Sequence, residues 1–154
     1  PMLLQARTLS SEETKDLTQL ESIWYEGDIG NDEHYNWTRY YALNLHSVFY
    51  RGTVEWRCFN STLHAGRAAA YVNLCLAISA QAIAQRSTVM RKTRSDNELF
   101  TFRVWLVRLG LNGDEFKHTR DHLLANLEGD RAWRYDKDSY EVNRKKKKQR
   151  EAER

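Results

Sequence analysis

The first repeating pattern of apolar positions along the chain has the spacing of an α-helix. Four apolar residues recur at intervals of three or four positions: Leu17, Leu20, Ile23 and Trp24. Upstream of them, Ser10 and Glu13 have the spacing of a capping box. The pattern predicts a first helix from about Ser11 to Tyr25. Turn-forming residues follow, so we expect an exposed polar loop that continues through Arg39.

From Tyr41 to Phe59 the composition changes to β-branched and aromatic residues, which are typical of strands. These residues form two runs of strand length, and Arg51 and Gly52 separate them. A short break between two such runs is the signal of a β-hairpin. The pattern therefore predicts a hairpin over residues 41–59 with Arg51 and Gly52 in its turn.

The alternation of side chains along a strand sorts this predicted hairpin by polarity. In the register that the turn sets, His46 lies opposite Arg57. In the same register Val48 lies opposite Glu55. One face collects the polar residues Asn44, His46, Thr53, Glu55 and Arg57. The other face collects the apolar residues, so we expect that face to pack on a core and the polar face to meet a ligand.

Three helices are predicted after the hairpin. Residues 65–85 carry apolar side chains on nearly all sides, which is typical of a buried helix. Residues 99–109 and 114–127 have helical spacing and end at Gly110 and Gly129, and we expect these two helices to pack as a pair. The predicted class is α+β: an antiparallel sheet that includes the hairpin, packed on a buried helix, with a C-terminal helical pair.

The composition supports one folded domain followed by a charged tail. The chain has 154 residues, 41% of them hydrophobic, which suffices for one core. The net charge is +3, yet residues 144–154 alone carry +5, so the remainder is slightly acidic. We predict a domain over residues 1–135 and a basic tail, solvated as a helix or disordered, over residues 136–154. No domain start is evident before Met2, so we expect the chain to be part of a longer protein.

Several classes of partner are not expected from the sequence. We find no apolar run of the length that a membrane span needs and no signal sequence, so a cytoplasmic protein without a membrane partner is predicted. The basic tail could attract nucleic acid by charge, but no aromatic residues alternate with its charges, and a solvated terminus is favoured. His118 and His122 lie four residues apart, but without a nearby glutamate of zinc-protease spacing they do not indicate a metal site.

The polar face of the hairpin has two explanations. Glu55 and Arg57 could form an ordinary exposed ion pair, worth only about 0–1 kcal/mol, and spacing alone favours this explanation slightly. Alternatively, the carboxylate is a ligand for Mg²⁺ and the guanidinium binds phosphate or carboxylate oxygens with two parallel hydrogen bonds. Phosphate chemistry needs both groups.

The amino-acid sequence of the two predicted strands also resembles the C-terminal half of the amidoligase family. That family belongs to the carboxylate-amine ligase superfamily together with glutamine synthetase. The matching segments are Arg39, Leu43-Asn44, Gly52-Thr53-Val54-Glu55-Trp56-Arg57 and Thr62-Leu63-His64-Ala65-Gly66. Where the family pattern has Phe, this chain has Trp56, on the predicted core face. The segment RVWLVRLGLNGDEFKHTRDHLL is similar to the family's closing helices, so the resemblance covers roughly residues 20 to 134.

The resemblance implies an ATP-dependent ligase that forms an amide or isopeptide bond through an acyl phosphate. It implies ATP and Mg²⁺ as cofactors, and carboxylate and amine substrates, with peptides and cell-wall components among the candidates. Glu55 corresponds to a catalytic Mg²⁺ ligand and Arg57 to a catalytic group that stabilises charge on the transferred phosphoryl. Residues assigned to nucleotide or substrate binding are Arg39, Asn44, His46 and His64. For His64, a local helix-start role is equally compatible with the sequence.

One part of the family pattern is missing. Members carry a Gly-x-Glu-x-Glu strand in the N-terminal half, and nothing before Arg39 matches it. An N-terminal half or a partner chain is therefore expected to complete the site. The alternative is a non-catalytic or degenerate interaction module, or a subunit that completes a site on another chain.

Overall fold

The structure is a computed structural model that describes residues 17–27, 35–89, 91–135 and 137–152. Helices predominate in these ranges, and two short strands form an antiparallel pair. The predicted α+β class is therefore confirmed. The chain divides into two units: Pro1–Thr62 with Ser79–Lys92, called the first unit, and Leu63–Ile78 with Thr93–Arg154, called the second unit.

Helix α1 spans Leu17–Trp24 in the first unit. It ends where the backbone becomes left-handed at Glu26, with φ of 57°, and at Gly27, whose φ of 98° costs a glycine little. The N–H of Gly27 donates to the carbonyl of Ser22 at 2.7 Å and closes the last turn. Trp24 and Tyr25 are buried at this end of the helix. The predicted helix start and its capping box, at residues 10–13, lie outside the described residues.

A single turn of 3₁₀ helix, Trp37–Tyr40, leads into the strands. Asn36 caps it, because its Oδ1 accepts from both the backbone N–H and the hydroxyl of Thr38, at 2.9 and 2.8 Å. Trp24 Nε1 donates to the same hydroxyl at 2.8 Å, which ties the turn to α1. The described part of the predicted loop is thus ordered around a buried threonine.

Strands β1 (Leu43–Asn44) and β2 (Glu55–Trp56) pair antiparallel, with Leu43 opposite Trp56 and Asn44 opposite Glu55. The prediction that these two segments pair as antiparallel strands is confirmed. The predicted register, which set Val48 opposite Glu55, is wrong.

Helix α2, His46–Arg51, lies between the two strands in the chain. Its presence explains why the predicted strand register is wrong. Gly52 ends this helix with φ of 68°, and its N–H points to the carbonyls of Ser47 and Val48. Gly52 is therefore a helix C-cap and not part of a two-residue hairpin turn. The placement of His46 opposite Arg57 is wrong for the same reason. A short apolar run does not by its periodicity distinguish a strand from a helical turn.

Helix α3 spans Ala65–Ala84, close to its predicted range. Its predicted burial is wrong for most of its described length. Ala70 and Leu74 are buried, but Leu76 and Ile83 are 64% and 88% exposed. By length and composition alone, α3 also reaches the minimum for a membrane-crossing helix, which the sequence analysis did not expect. Core helices of soluble proteins pass the same test.

Helices α4 (Glu98–Arg108) and α5 (Lys117–Leu124) pack together in the second unit and confirm the predicted pair. Asn97 caps α4 by accepting from the backbone N–H of Phe100 at 3.0 Å. Gly110, with φ of 91°, follows α4 at the predicted stop. The leucines buried in this unit are Leu74, Leu99, Leu106, Leu111 and Leu124.

Helix α6, Lys137–Ala152, forms most of the predicted basic tail. The sequence left open a solvated helix and a disordered segment, and the structure shows the helix. Its described side chains are exposed. The predicted domain boundary at residues 135 and 136 stays a prediction.

Candidate functional site

The two paired strands bring Asn44 and Glu55 together. Asn44 Nδ2 donates to Glu55 Oε2 at 2.6 Å and to the hydroxyl of Ser47 at 3.1 Å. Asn44 is only 2% exposed, whereas Glu55 is exposed. A buried amide therefore holds an exposed carboxylate from the core side.

Arg57 lies beside the same carboxylate. Residues two apart on an extended segment point to the same side, and Arg57 Nη1 donates to Glu55 Oε1 at 3.1 Å. The backbone N–H of Arg57 also donates to the carbonyl of Ala42 at 2.8 Å, which extends the strand pairing beyond β2. The predicted juxtaposition of Glu55 and Arg57 is therefore present, although the register that led to it was wrong.

An aromatic ring joins a second arginine to this cluster. The guanidinium carbon of Arg57 lies 5.5 Å from the centre of the Tyr40 ring, and that of Arg39 lies 5.7 Å from the same ring. Such cation–π contacts hold a guanidinium by its flat face. Four of the predicted site residues are thus linked through contacts with Tyr40 or with one another. We call the set Arg39, Tyr40, Asn44, Glu55 and Arg57 the Glu55 surface.

Tyr40 and Ser47 also contact this cluster, although no sequence pattern indicated them. Tyr40 follows Arg39 directly in the sequence, but no spacing rule indicates that its ring would lie under Arg57, just after β2. Ser47 was assigned to a strand, and only the α2 helix brings its hydroxyl to Asn44. Both contacts depend on the fold and not on local sequence.

The structure does not place His46 on the Glu55 surface. The side chain of His46 is fully buried, and its Nδ1 shares a hydrogen bond of 2.5 Å with the Tyr25 hydroxyl. The Tyr50 ring also packs on it, with the two ring centres 5.1 Å apart. A buried imidazole offers no surface to a ligand, so the predicted position of His46 on a ligand-facing side is corrected.

His64 lies in the second unit, just before α3, and contacts His122 of α5. The two ring centres are 4.9 Å apart. Gly66 makes this approach possible, because a Cβ built at Gly66 would lie 2.5 Å from His122 Nε2. In the sequence, spacing relates His122 only to His118, four residues before it. No short spacing indicates a pair so far apart in the chain.

The Glu55 surface offers one carboxylate to a cation. In the described part of the chain, no group of three or more His, Cys, Asp or Glu side chains could hold a metal ion. Mg²⁺ commonly takes one or two carboxylates, with phosphate oxygens and water as its other ligands. Glu55 fits as that carboxylate. The Oδ1 of Asn44 has no hydrogen-bond partner, but it is buried, so Asn44 contacts the carboxylate from the core side and offers no second ligand at the surface.

Comparison with known families places the chain in one of them. The family model described as "Putative amidoligase enzyme" matches residues 2–79, just over half of the chain. The chain therefore belongs to the amidoligase family. No curated protein and no solved structure matches it.

The matched segment contains the whole Glu55 surface and His64. The match ends inside α3, whereas the resemblance in the sequence was extended to about residue 134. The similarity of α4 and α5 to the closing helices of the family stays a prediction.

Proposed function

We propose that the Glu55 surface is the magnesium- and phosphate-binding part of an ATP-dependent amidoligase. The observation that carries this proposal is the cluster of Asn44, Glu55 and Arg57 at the paired strands, inside the segment that matches the family. A carboxylate can bind a cation, and a guanidinium beside it can bind phosphate oxygens. Together they offer both groups that phosphoryl transfer requires.

The proposed reaction has two steps. A carboxylate oxygen of the first substrate attacks the γ-phosphorus of ATP, the bond from that phosphorus to the bridging oxygen breaks, and ADP leaves. The amine nitrogen of the second substrate then attacks the acyl carbon of the resulting acyl phosphate. The carbon–oxygen bond breaks, inorganic phosphate leaves and the nitrogen loses a proton, which gives an amide or isopeptide bond.

Arg57 and Arg39 would bind the transferred phosphoryl group. A guanidinium carries five N–H donors, and Arg57 uses one of its nitrogens for Glu55. The guanidinium carbons of Arg39 and Arg57 lie 5.7 and 5.5 Å from the centre of the Tyr40 ring, so one side chain contacts both arginines. Charge develops on phosphoryl oxygens during transfer, and donors fixed in advance stabilise it without reorganisation.

Glu55 would hold the magnesium ion of the nucleotide, which supplies charge neutralisation to the phosphate groups when bound. Asn44 acts through Glu55 and is a positioning residue. Its amide N–H holds Oε2 at 2.6 Å, so the carboxylate has one orientation from the core side. A carboxylate with its rotamer fixed loses less entropy when it binds a cation.

The test measures amide-bond formation with hydroxylamine as the amine. Acyl phosphates react with hydroxylamine to give hydroxamates, so ATP-dependent hydroxamate formation from a panel of amino acids and dipeptides reports the first step without knowledge of the natural amine. We expect the full-length protein to form hydroxamate and Glu55→Gln to lower the rate on the order of a hundredfold or more.

The matched control is Asp121→Asn. Asp121 forms an exposed ion pair with Arg131 at 3.2 Å, which resembles the Glu55–Arg57 pair at 3.1 Å in length and in the exposure of its carboxylate side chain. Each variant removes one carboxylate charge from such a pair, so Asp121→Asn should leave the rate within about twofold. A Glu55→Gln protein as fast as the wild type contradicts the proposal.

A second candidate function is a non-catalytic interaction module. The observation that favours it is the lack of a group of three metal-binding side chains among the described residues. Calorimetry of ATP and Mg²⁺ separates the two candidates. A dissociation constant in the micromolar range supports the ligase, whereas no binding at millimolar concentration supports the interaction module.

We further propose a cytoplasmic location, where ATP is present. Cys58 is exposed and forms no disulfide. Exposed thiols persist in a reducing compartment. The substrates in this proposal are a carboxylate and an amine, with peptides and cell-wall components as the candidate classes.

A further inference from the structure

An exposed group of aromatic side chains shares Tyr40 with the Glu55 surface. Tyr35 is 79% exposed, Trp37 is 66% exposed and Tyr40 is 71% exposed. Large aromatic side chains are usually buried in a folded domain, and a cluster of exposed rings marks a binding surface. We call these three residues the aromatic platform.

The backbone beneath the platform is tied to the core. Trp37 and Tyr40 begin and end the 3₁₀ turn, and residues three apart in a 3₁₀ helix lie on one face. Between them Thr38 is 2% exposed and bonds to Asn36 and Trp24. The two rings are therefore presented to solvent by an anchored turn, which lowers the entropy lost when a ligand stacks on them.

Arginines lie over the tyrosine rings of the platform. The guanidinium carbon of Arg39 lies 5.6 Å from the centre of the Tyr35 ring and 5.7 Å from that of Tyr40, and Arg57 also lies over Tyr40. Stacking uses the flat face of a guanidinium, and its N–H groups point outward in the plane. The platform therefore combines exposed rings with donors suited to an anion.

This combination matches a ligand that has a flat aromatic ring and a phosphate. We propose that the aromatic platform binds the base of a free nucleoside triphosphate by stacking, chiefly on Trp37, while Arg39 and Arg57 bind its phosphates. The inference rests on the proposed function, which supplies the nucleotide. Single-stranded nucleic acid shares this chemistry, but the basic excess of the chain lies in residues 144–154 and the remainder is slightly acidic. That balance favours a single nucleotide over a polyanion.

Calorimetry with two probes separates the base from the phosphates. ATP and inorganic tripolyphosphate are each titrated, with Mg²⁺, into the full-length protein. Stacking of one base on an aromatic side chain corresponds to about fivefold to a hundredfold in affinity, so ATP should bind tighter than tripolyphosphate by that factor. Trp37→Ala should abolish the preference and leave tripolyphosphate binding unchanged. Trp37→Tyr keeps a ring and should retain most of the preference.

The matched control is Trp133→Ala. Trp133 is 48% exposed and lies in the second unit, so its removal should leave the preference for ATP unchanged. Equal affinity of the wild type for ATP and tripolyphosphate overturns this inference while the proposed function stands. Binding of neither probe overturns both. Tighter binding of a ten-residue oligothymidine than of ATP overturns it in favour of nucleic acid.

Discussion

The two units of the chain differ in what they bury. The first unit buries polar and aromatic side chains: Trp24, Tyr25, Asn36, Thr38, Asn44, His46 and Ser47. The second unit buries mainly aliphatic ones: Ala70, Leu74, Leu99, Leu106, Leu111 and Leu124, with Asn97 and Thr119. Hydrogen bonds are directional and apolar contacts are not. The structure of the first unit therefore depends on how its hydrogen-bonding side chains are oriented. The structure of the second unit depends on how its apolar side chains pack.

The difference matters because the Glu55 surface lies on the polar unit. Each hydrogen bond there contributes only about 1 kcal/mol net, but a buried group left without its partner costs about 1–3 kcal/mol. Such a hydrogen-bond network contributes little to the free energy of unfolding for its size. It nevertheless allows its side chains few alternative conformations, because each of these would leave a buried group without a partner. Asn44 connects it to the surface, since the same amide bonds to Ser47 and to Glu55. The proposed activity therefore depends more on the orientation of the Glu55 side chain than on the stability that this hydrogen-bond network contributes.

The largest expected stability change comes from the packed unit. Leu106 is fully buried, so Leu106→Ala should lower the free energy of unfolding by about 2–5 kcal/mol through lost contacts and a cavity. Urea denaturation followed by circular dichroism measures it. Leu76→Ala, at a residue 64% exposed, is the control and should change the value by less than about 0.5 kcal/mol. Equal losses of stability in Leu106→Ala and Leu76→Ala would contradict the conclusion that buried packing stabilises the second unit.

The next largest change should come from the polar unit. Tyr25→Phe removes only the hydroxyl that pairs with His46 Nδ1, which leaves a buried imidazole nitrogen without this partner. We expect a loss of about 1–3 kcal/mol in the free energy of unfolding, measured in the same way. Tyr140→Phe, at a tyrosine 45% exposed, should have almost no effect. If Tyr25→Phe changes the free energy of unfolding as little as Tyr140→Phe does, the buried hydrogen bonds do not determine the structure of the first unit.

A double-mutant cycle tests how close the packing is where α3 and α5 meet. Gly66 is helical, and alanine favours a helix over glycine by about 0.5–1 kcal/mol. A Cβ at this position would crowd His122, so Gly66→Ala should be neutral or destabilising in the wild type. In a His122→Ala background it should stabilise the protein by about 0.5–1 kcal/mol. Thermal unfolding of the four proteins gives the coupling energy, and a value near zero would rule out the contact.

The smallest changes are expected at the two exposed ion pairs. Glu55→Gln and Asp121→Asn each remove a carboxylate charge from a pair of nearly the same length, so each should lower stability by no more than about 1 kcal/mol. Equilibrium denaturation measures both. If the two variants have similar stability but only Glu55→Gln loses activity, the Glu55 carboxylate is functional whereas the Asp121 carboxylate is not. A much larger stability loss for Glu55→Gln would instead make its carboxylate structural.

Local signals predicted several elements correctly. Helical spacing identified α1, α4 and α5, and Gly110 marked the end of α4. The strand pairing was also predicted, and its polar residues led to Glu55 and Arg57. These features depend on residues near one another in the chain, so periodicity and turn chemistry are enough to find them.

Signals with two meanings produced the errors. Arg51 and Gly52 fit a hairpin turn, but a basic residue followed by glycine also ends a helix, as it does for α2. The apolar composition of α3 predicted burial, yet burial depends on which surface of the helix meets another element. Ala70 and Leu74 are buried in the described structure, and the sequence of the helix does not single them out.

By itself, the sequence of this protein determined the main helices, the pairing of two strands and the membership of an amidoligase pattern. Those properties arise from local propensities and short motifs. Only the tertiary structure decided that Asn44 lies opposite Glu55, that Tyr40 lies under both arginines and that His46 is buried away from them. These contacts join segments whose separation is set by α2 and the 3₁₀ turn, and a register shift of one residue would reverse the side that each side chain faces.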